Sequence, residues 1–424
     1  MSAFIGGKRL TAKNEVRISL SDILLFITLF AYEDYACLIP DDLSLPMGIR
    51  TTDVGVVLAV CWTIYVFSRN HGRKLGPLHP VLPFALAIIS TVLSAILASS
   101  LLGQPFLWGI LPFRRMYAAM LLCIGVTEAM RSGVLSKDKL VSILYVIGIS
   151  ELILYSLQAL LAGYVTFLDI STSEVRFGLV RLRVPFLLPL IIGIISFHTF
   201  LDSRHKERLS ILGHLIIAIW SVLFVALICQ HRAPTIILLA SYLFAIFISR
   251  TSFVTKVLAS FVSVFLILGI LGTPLIQSTV QALTGATTGS ANTLEIRSDG
   301  HEYYLERLQN SPWFGFGWPN SNYSPATQAA GEGYLYYLED NGIFGLAYML
   351  GIFGCIWIAV LYLGALHRAW KIRRAKGGAL LQYLFFETGN LYMGLHWFYY
   401  YPMPFMMALA LLEYDSGEVA DGKQ

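Results

Sequence analysis

The sequence predicts an all-α polytopic membrane protein with about twelve transmembrane helices and one long loop between spans nine and ten. Three observations predict it. Apolar runs of about 17 to 25 residues recur from end to end, long enough to cross a hydrocarbon core roughly 30 Å thick. Charged residues make up 13% of the chain, well below the share usual in soluble proteins, and the mean hydropathy is +0.67. Loops rich in basic residues alternate with loops poor in them, as orientation in a membrane requires.

In chain order the predicted spans lie near residues 19–40, 53–68, 79–101, 107–130, 140–163, 184–201, 211–229, 234–249, 257–276, 341–365, 378–396 and 401–413. The last is short, which leaves a tilted or partly re-entrant segment open. No internal repeat or low-complexity linker divides the chain, so residues 1–424 read as a single membrane domain, with 277–340 as a loop or lid carrying short helices. The first twenty residues contain no apolar core followed by a cleavage site, so no removable signal is expected. The five cysteines (37, 61, 123, 229 and 355) form no CxxC pair and read as buried thiols. A net charge of +4 gives no nucleic-acid footprint.

With both termini placed in the cytoplasm, 21 of the 30 basic residues fall on that side, including all ten lysines. The other nine are all arginines: Arg50, Arg114, Arg115, Arg176, Arg181, Arg183, Arg232, Arg297 and Arg307. Orientation does not distinguish lysine from arginine. Anion recognition does, because a guanidinium fork grips phosphate with two hydrogen bonds and keeps its proton. Snorkelling to lipid headgroups is the competing explanation for any single arginine.

Several outer segments carry candidate chemistry. Arg232 lies in "CQHRAPTII", where Pro234 suits the first turn of a helix whose free amides would face an anion. The loop "YVTFLDISTSEVRFGLVRLR" supplies Arg176, Arg181 and Arg183. The last two would share a face in an extended segment and diverge on a helix. Arg114 and Arg115 open span four and need anions or a wet cavity, and Glu33 and Asp34 could balance them. In the long loop a flexible "TGATTGSANT" is expected to precede a short helix from Glu302 to Gln309, and "NSPWFGFGWPN" should end it. Arg297 and His301 stand four apart, hence on one face if that start is helical. Trp313 and Trp318 fit an interfacial lid. In "GEGYLYYLEDNGIFGL", Glu339 and Asp340 are expected to cap the following span. Glu332 reads either as a base or as a further acid near a helix N-terminus.

The succession of Arg232, a long outer loop, Arg297, "NSPWFGFGW" and "GYLYYLEDNGIFGL" resembles the O-antigen ligase and polymerase superfamily of GT-C type membrane glycosyltransferases. The resemblance covers mainly residues 230–350. Arg297, the Pro312–Gly317 turn, Tyr334-Leu335 and Gly342–Gly345 stand at the places of that family's motif. It implies a glycan on undecaprenyl pyrophosphate, bound at the periplasmic face of a bacterial inner membrane. It also implies leaving-group stabilisation by arginines, no metal or other cofactor, and a flippase and a chain-length regulator as partners. The substrate-binding residues expected on this basis are Arg232, Arg176, Arg181, Arg183, Arg114, Arg115, Tyr334 and Trp318, with Arg297, Glu332 and His301 as the catalytic set. Ligases carry a histidine where this chain has Gly331, with Glu332 beside it, which favours a polymerase of repeat units. A ligase acting on a lipid A core acceptor, and a transporter or flippase of lipid-linked sugars, remain the alternatives.

Overall fold

The structure, a computed structural model, describes residues 19–39, 53–70, 78–162, 164–168, 170, 173–176, 179–202, 208–271, 288–393 and 401–420. Helices dominate. They are α1 (Leu20–Tyr32), α2 (Val54–Arg69), α3 (Val81–Leu102), the short α4 (Phe106–Ile110), α5 (Arg114–Ser132), α6 (Lys137–Leu161), α7 (Leu187–Leu201) and α8 (Arg208–Leu223). After them come α9 (Arg232–Ile248), α10 (Phe253–Leu271), α11 (Thr288–Leu308), the short α12 (Ser324–Ala329), α13 (Gly342–Lys376), α14 (Ala379–Met393) and α15 (Pro402–Ala420). Among the described residues the one sheet is a hairpin of β1 (Ser173–Arg176) and β2 (Leu179–Leu182), antiparallel, with Glu174 opposite Arg181.

Among the described residues five helical stretches are long and apolar enough to cross a membrane: Val81–Leu102, Phe106–Ser132, Lys137–Leu161, Ser210–Ile228 and Gly342–Lys376. Five shorter apolar helices accompany them, so the architecture is all-α and compatible with a membrane location. Local chemistry sets several boundaries. Ser19 and Asp22 form a reciprocal capping box at α1, and Ser136 accepts the Lys139 amide at α6. At their other ends α3 and α5 stop at Gly103 and Gly133, whose left-handed backbones no β-carbon obstructs.

Ion pairs mark two opposite ends of the helices. At one end Lys137 meets Asp415 (2.7 Å), Lys139 meets Asp22 (2.6 Å) and Lys376 meets Glu418 (2.7 Å). At the other, Arg114 grips Asp53 with two hydrogen bonds (2.9 and 2.6 Å), and Arg115 reaches Asp34 (2.8 Å). Arginine also serves at the first end, where Arg368 meets Glu413.

Helix α13 is the central post, packing on α3, α11, α14 and α15. It is broken at Gly351 (φ 65°, ψ −168°), which separates the carbonyls of Tyr348 and Met349 from the amides of Ile352 and Phe353. The turn 312–317 fills the gap. Phe316 and Gly317 donate to the Tyr348 and Met349 carbonyls (2.8 and 2.9 Å), while Ile352 and Phe353 donate to the Pro312 and Trp313 carbonyls (2.8 and 3.0 Å). Two helical hydrogen bonds are replaced by four through the inserted turn, so these two carbonyls and two amides all keep partners. The Ser94 hydroxyl also donates to the Met349 carbonyl.

Candidate functional site

Helix α11 presents the candidate residues Arg297 and His301 at helical spacing toward the entrance of α13. Its observed start at Thr288 lies inside the segment expected to be flexible, and it runs through Arg297 and His301 rather than beginning at Glu302. One face therefore carries Arg297, Gly300, His301 and Tyr304. The Arg297 Nη2 lies 3.5 Å from Asp340 Oδ1, and its Nε is buried without a hydrogen-bond partner among the described residues. Gly300 lies against the Asn341 side chain, where a β-carbon would come 3.0 Å from Oδ1. The His301 ring stacks on Phe344, with centroids 4.1 Å apart. Burial and the neighbouring Arg297 charge hold the imidazole pKa below its ordinary 6.5, so His301 is neutral near pH 7 and able to accept a proton.

Tyrosine hydroxyls pin the segment after α12. Tyr303 and Tyr348 both donate to the Ala329 carbonyl (2.9 and 3.1 Å). The Tyr304 hydroxyl lies 3.0 Å from the Ala330 carbonyl and 2.9 Å from that of Tyr336, its one hydrogen shared between them. Between these anchors Glu332–Tyr334 forms a 3-10 turn, bracketed by left-handed Gly331 (φ 92°) and Leu335 (φ 63°). A left-handed leucine is uncommon and costs about 1 kcal/mol or more, so the surrounding contacts impose this turn. Glu332 stands exposed at its tip, making no hydrogen bond or ion pair among the described residues. Beside it the rings of Tyr303, Tyr334 and Tyr336 cluster within 6.1 Å of one another, and Arg307 lies 4.8 Å over Tyr303. Tyr334 is 64% exposed, an open aromatic face of the kind sugars stack on.

The span following this segment begins ten residues beyond Glu332, at Gly342, so Glu332 does not sit in the field of that helix N-terminus. Asp340 does not cap it, and the Glu339 side chain lies outside the described residues. Asn341 takes the cap position with no side-chain cap bond, and Asp340 turns instead to Arg297.

The other arginines divide by environment. Arg114 and Arg115 are occupied by Asp53 and Asp34, and Arg115 also donates to the Tyr32 carbonyl (2.7 Å). Arg181, on β2, donates through Nε to the Cys229 carbonyl (3.2 Å), three residues before Arg232 opens α9. The segment is extended here, as one of the two sequence alternatives required. Arg181 is half-buried, whereas Arg183 is exposed just beyond the strand. Arg176 lies on β1, in register with Leu179. Trp318, expected among the substrate contacts, is buried at 3% exposure with its ring edge-on to Phe113 and its carbonyl accepting Gln104 Nε2 (2.8 Å). It packs in the interior, while Trp313 is the exposed one of the pair.

Sequence reasoning missed Tyr303, Tyr304 and Tyr348 as anchors, Asn341 as the cap, and Gly351 as the break. The helical spacing of Arg297, Gly300, His301 and Tyr304 was a usable signal for the first of these. Among the described residues no group of three or more His, Cys, Asp or Glu side chains could hold a metal ion. No family model matches the chain, and no curated protein matches its sequence.

Proposed function

We propose that this chain is a membrane glycosyltransferase of about twelve spans that polymerises surface polysaccharide, joining repeat units carried on undecaprenyl pyrophosphate. In this reading both termini are cytoplasmic, and the arginine end faces the periplasm of a bacterial inner membrane. The observation that carries it is the long loop itself. It sets Arg297, with a free Nε, and the neutral His301 on one face of α11, and it displays Glu332 on a pinned turn beside an open tyrosine face.

The chemistry follows from where charge develops. As the anomeric carbon–oxygen bond to pyrophosphate breaks, negative charge grows on the departing phosphate, and preorganised guanidiniums stabilise it most. Arg297 is the first candidate, with Arg181, Arg183, Arg232 and Arg176 as a second group around the hairpin. The acceptor hydroxyl attacks the anomeric carbon, and its proton passes to Glu332 or His301 as general base. The products are a glycan longer by one unit and a free lipid pyrophosphate. No cofactor takes part in this scheme.

The purified protein, reconstituted with lipid-pyrophosphate-linked repeat units, should generate a ladder of longer lipid-linked glycans. Folded protein that yields no ladder would sink the proposal. Transfer to a lipid A core without elongation would indicate a ligase, and movement across the bilayer without bond formation a transporter. Because Glu332 is exposed and unpartnered, Glu332→Gln should change stability by less than about 0.5 kcal/mol. Turnover should nonetheless fall about a hundredfold or more. Wild-type rates would remove Glu332 as base.

A further inference from the structure

At the lysine end a cavity of about 650 Å³ opens where α7, α9 and α13 finish and α14 begins. His198, Arg250, Trp370, Arg373, Arg374 and Gly378 line it, and among its described lining residues Asp202 is the one carboxylate. Three guanidiniums share this space closely enough for Arg250 and Arg374 to repel Arg373. Among the described residues neither Arg373 nor Arg374 makes an ion pair. Arg373 folds back on its own helix instead, donating to the Trp370 carbonyl and lying 3.4 Å from the Trp370 ring centroid, which leaves most of its five donors unused. Arg373 and Arg374 thus keep donors for an anion from outside, with Asp202 the one carboxylate among the described lining residues.

Two further features point the same way. The Gly378 amide donates to His198 Nε2 (2.7 Å), and Asp202 Oδ2 lies 3.3 Å from the same nitrogen. The His198 Nδ1 is buried without a partner on a side chain only 6% exposed. The first turn of α14 also starts at this cavity, adding the positive end of a helix.

The rim of the cavity is aromatic. Phe247 is 82% exposed and Trp370 is 47% exposed, and both line the cavity together with Phe244. Arginines below an exposed aromatic rim, at the ends of apolar helices, match the two chemistries of one molecule. The phosphate of an anionic phospholipid would meet the arginines, and its glycerol–acyl region the rings. We infer that this cavity binds the phosphate headgroup of an anionic phospholipid from the adjacent leaflet. The site lies at the opposite end of the bundle from the proposed glycan chemistry and does not depend on that reading.

The test is a calorimetric titration of the delipidated full chain in detergent with dioctanoyl phosphatidylglycerol, dioctanoyl phosphatidylcholine and inorganic phosphate. Phosphatidylglycerol should bind saturably, with phosphatidylcholine and phosphate each at least tenfold weaker. Arg373→Gln with Arg374→Gln should weaken phosphatidylglycerol binding tenfold or more, whereas Lys371→Gln, near the same helix end, should leave it unchanged. If the double variant melts early without lipid, the exposed Arg374→Gln alone should still weaken binding several-fold. Equal binding of phosphatidylcholine, or indifference to Arg374→Gln, overturns the site. Inorganic phosphate binding as tightly as the lipid overturns the lipid assignment.

Discussion

Replacing Gly315 with alanine should break the lock between the long loop and α13. Gly315 has φ 67°, and a β-carbon there would lie 2.4 Å from the Tyr348 oxygen, 2.6 Å from the Met349 carbonyl carbon and 2.7 Å from the Gly351 nitrogen. All three are backbone atoms of the broken helix and cannot rotate aside. Left-handed backbone costs an alanine about 1 kcal/mol. Pushing the turn out also forfeits the bonds that Phe316 and Gly317 donate, about 1 kcal/mol each. The amides of Ile352 and Phe353 recover their helical partners only if Gly351 also leaves its φ of 65°. The expected loss is therefore about 3 kcal/mol, near the upper end for a single substitution. Equilibrium unfolding in mixed micelles measures it, with Gly364→Ala as the control. Gly364 lies in the same helix with nothing within 4 Å of a β-carbon, so alanine there should be neutral or stabilising by up to about 1 kcal/mol. If Gly315→Ala falls within about 0.5 kcal/mol of that control, the inserted turn is not what holds the break together.

Arg115→Met should destabilise by about 3 kcal/mol, because it removes the guanidinium that Asp34 and the Tyr32 carbonyl accept from, and adding Asp34→Asn should restore part of that in a double-mutant cycle. Tyr304→Phe removes the hydrogen shared by the Ala330 and Tyr336 carbonyls; melting should show a loss of about 1–2 kcal/mol, and turnover should fall further than melting alone explains. For His301 the folded pKa lies below the ordinary 6.5, so the unfolded chain takes up the proton first as pH falls. Its contribution is neutral above 6.5 and turns against the folded state from there down to the depressed value; thermal melting between pH 7.5 and 5 should show this loss, and His301→Gln should flatten it.

What the sequence made legible is what local composition controls. Apolar runs marked the helices, and Arg114 and Arg115, read as needing anions, did find acids. Asp34, 81 residues from Arg115, was legible as a balancing acid, whereas Asp53, 61 residues from Arg114, was not, so distance along the chain does not decide such pairings. The break at Gly351 was illegible as well. An isolated glycine in an apolar run looks like any other, and the turn that stabilises this one lies about 35 residues earlier in the chain. Gly, Ser and Thr between residues 284 and 293 are poor helix formers, so a loop was the local expectation there, and tertiary contacts of α11 with α13 outweigh it from Thr288 onward. Trp318 looked like a lid residue because tryptophan favours interfaces, whereas its burial depends on Phe113 and Gln104, far away in sequence.

The paired arginines bear on where an anion could bind. Arg114 and Arg115 begin α5, the positive end of a helix, so each adds like charge to the field of that terminus. Asp53 and Asp34 offset both contributions, which leaves the α5 entrance close to neutral. An anion approaching this end therefore gains little from α5, however conspicuous its two arginines are in the sequence. Arg297 differs. Its one acid partner is 3.5 Å away and 57% exposed, a contact that water and salt weaken readily. A pyrophosphate carries more charge than Asp340 and can engage the free Nε as well, so it competes well for this guanidinium. If the proposed chemistry holds, Asp340 is the placeholder that substrate displaces. Asp340→Asn should then lower the KM for lipid-linked substrate severalfold with little change in kcat, whereas Arg297→Lys should lower kcat. An unchanged KM in Asp340→Asn would place the pyrophosphate elsewhere on this end, with the hairpin arginines next in line.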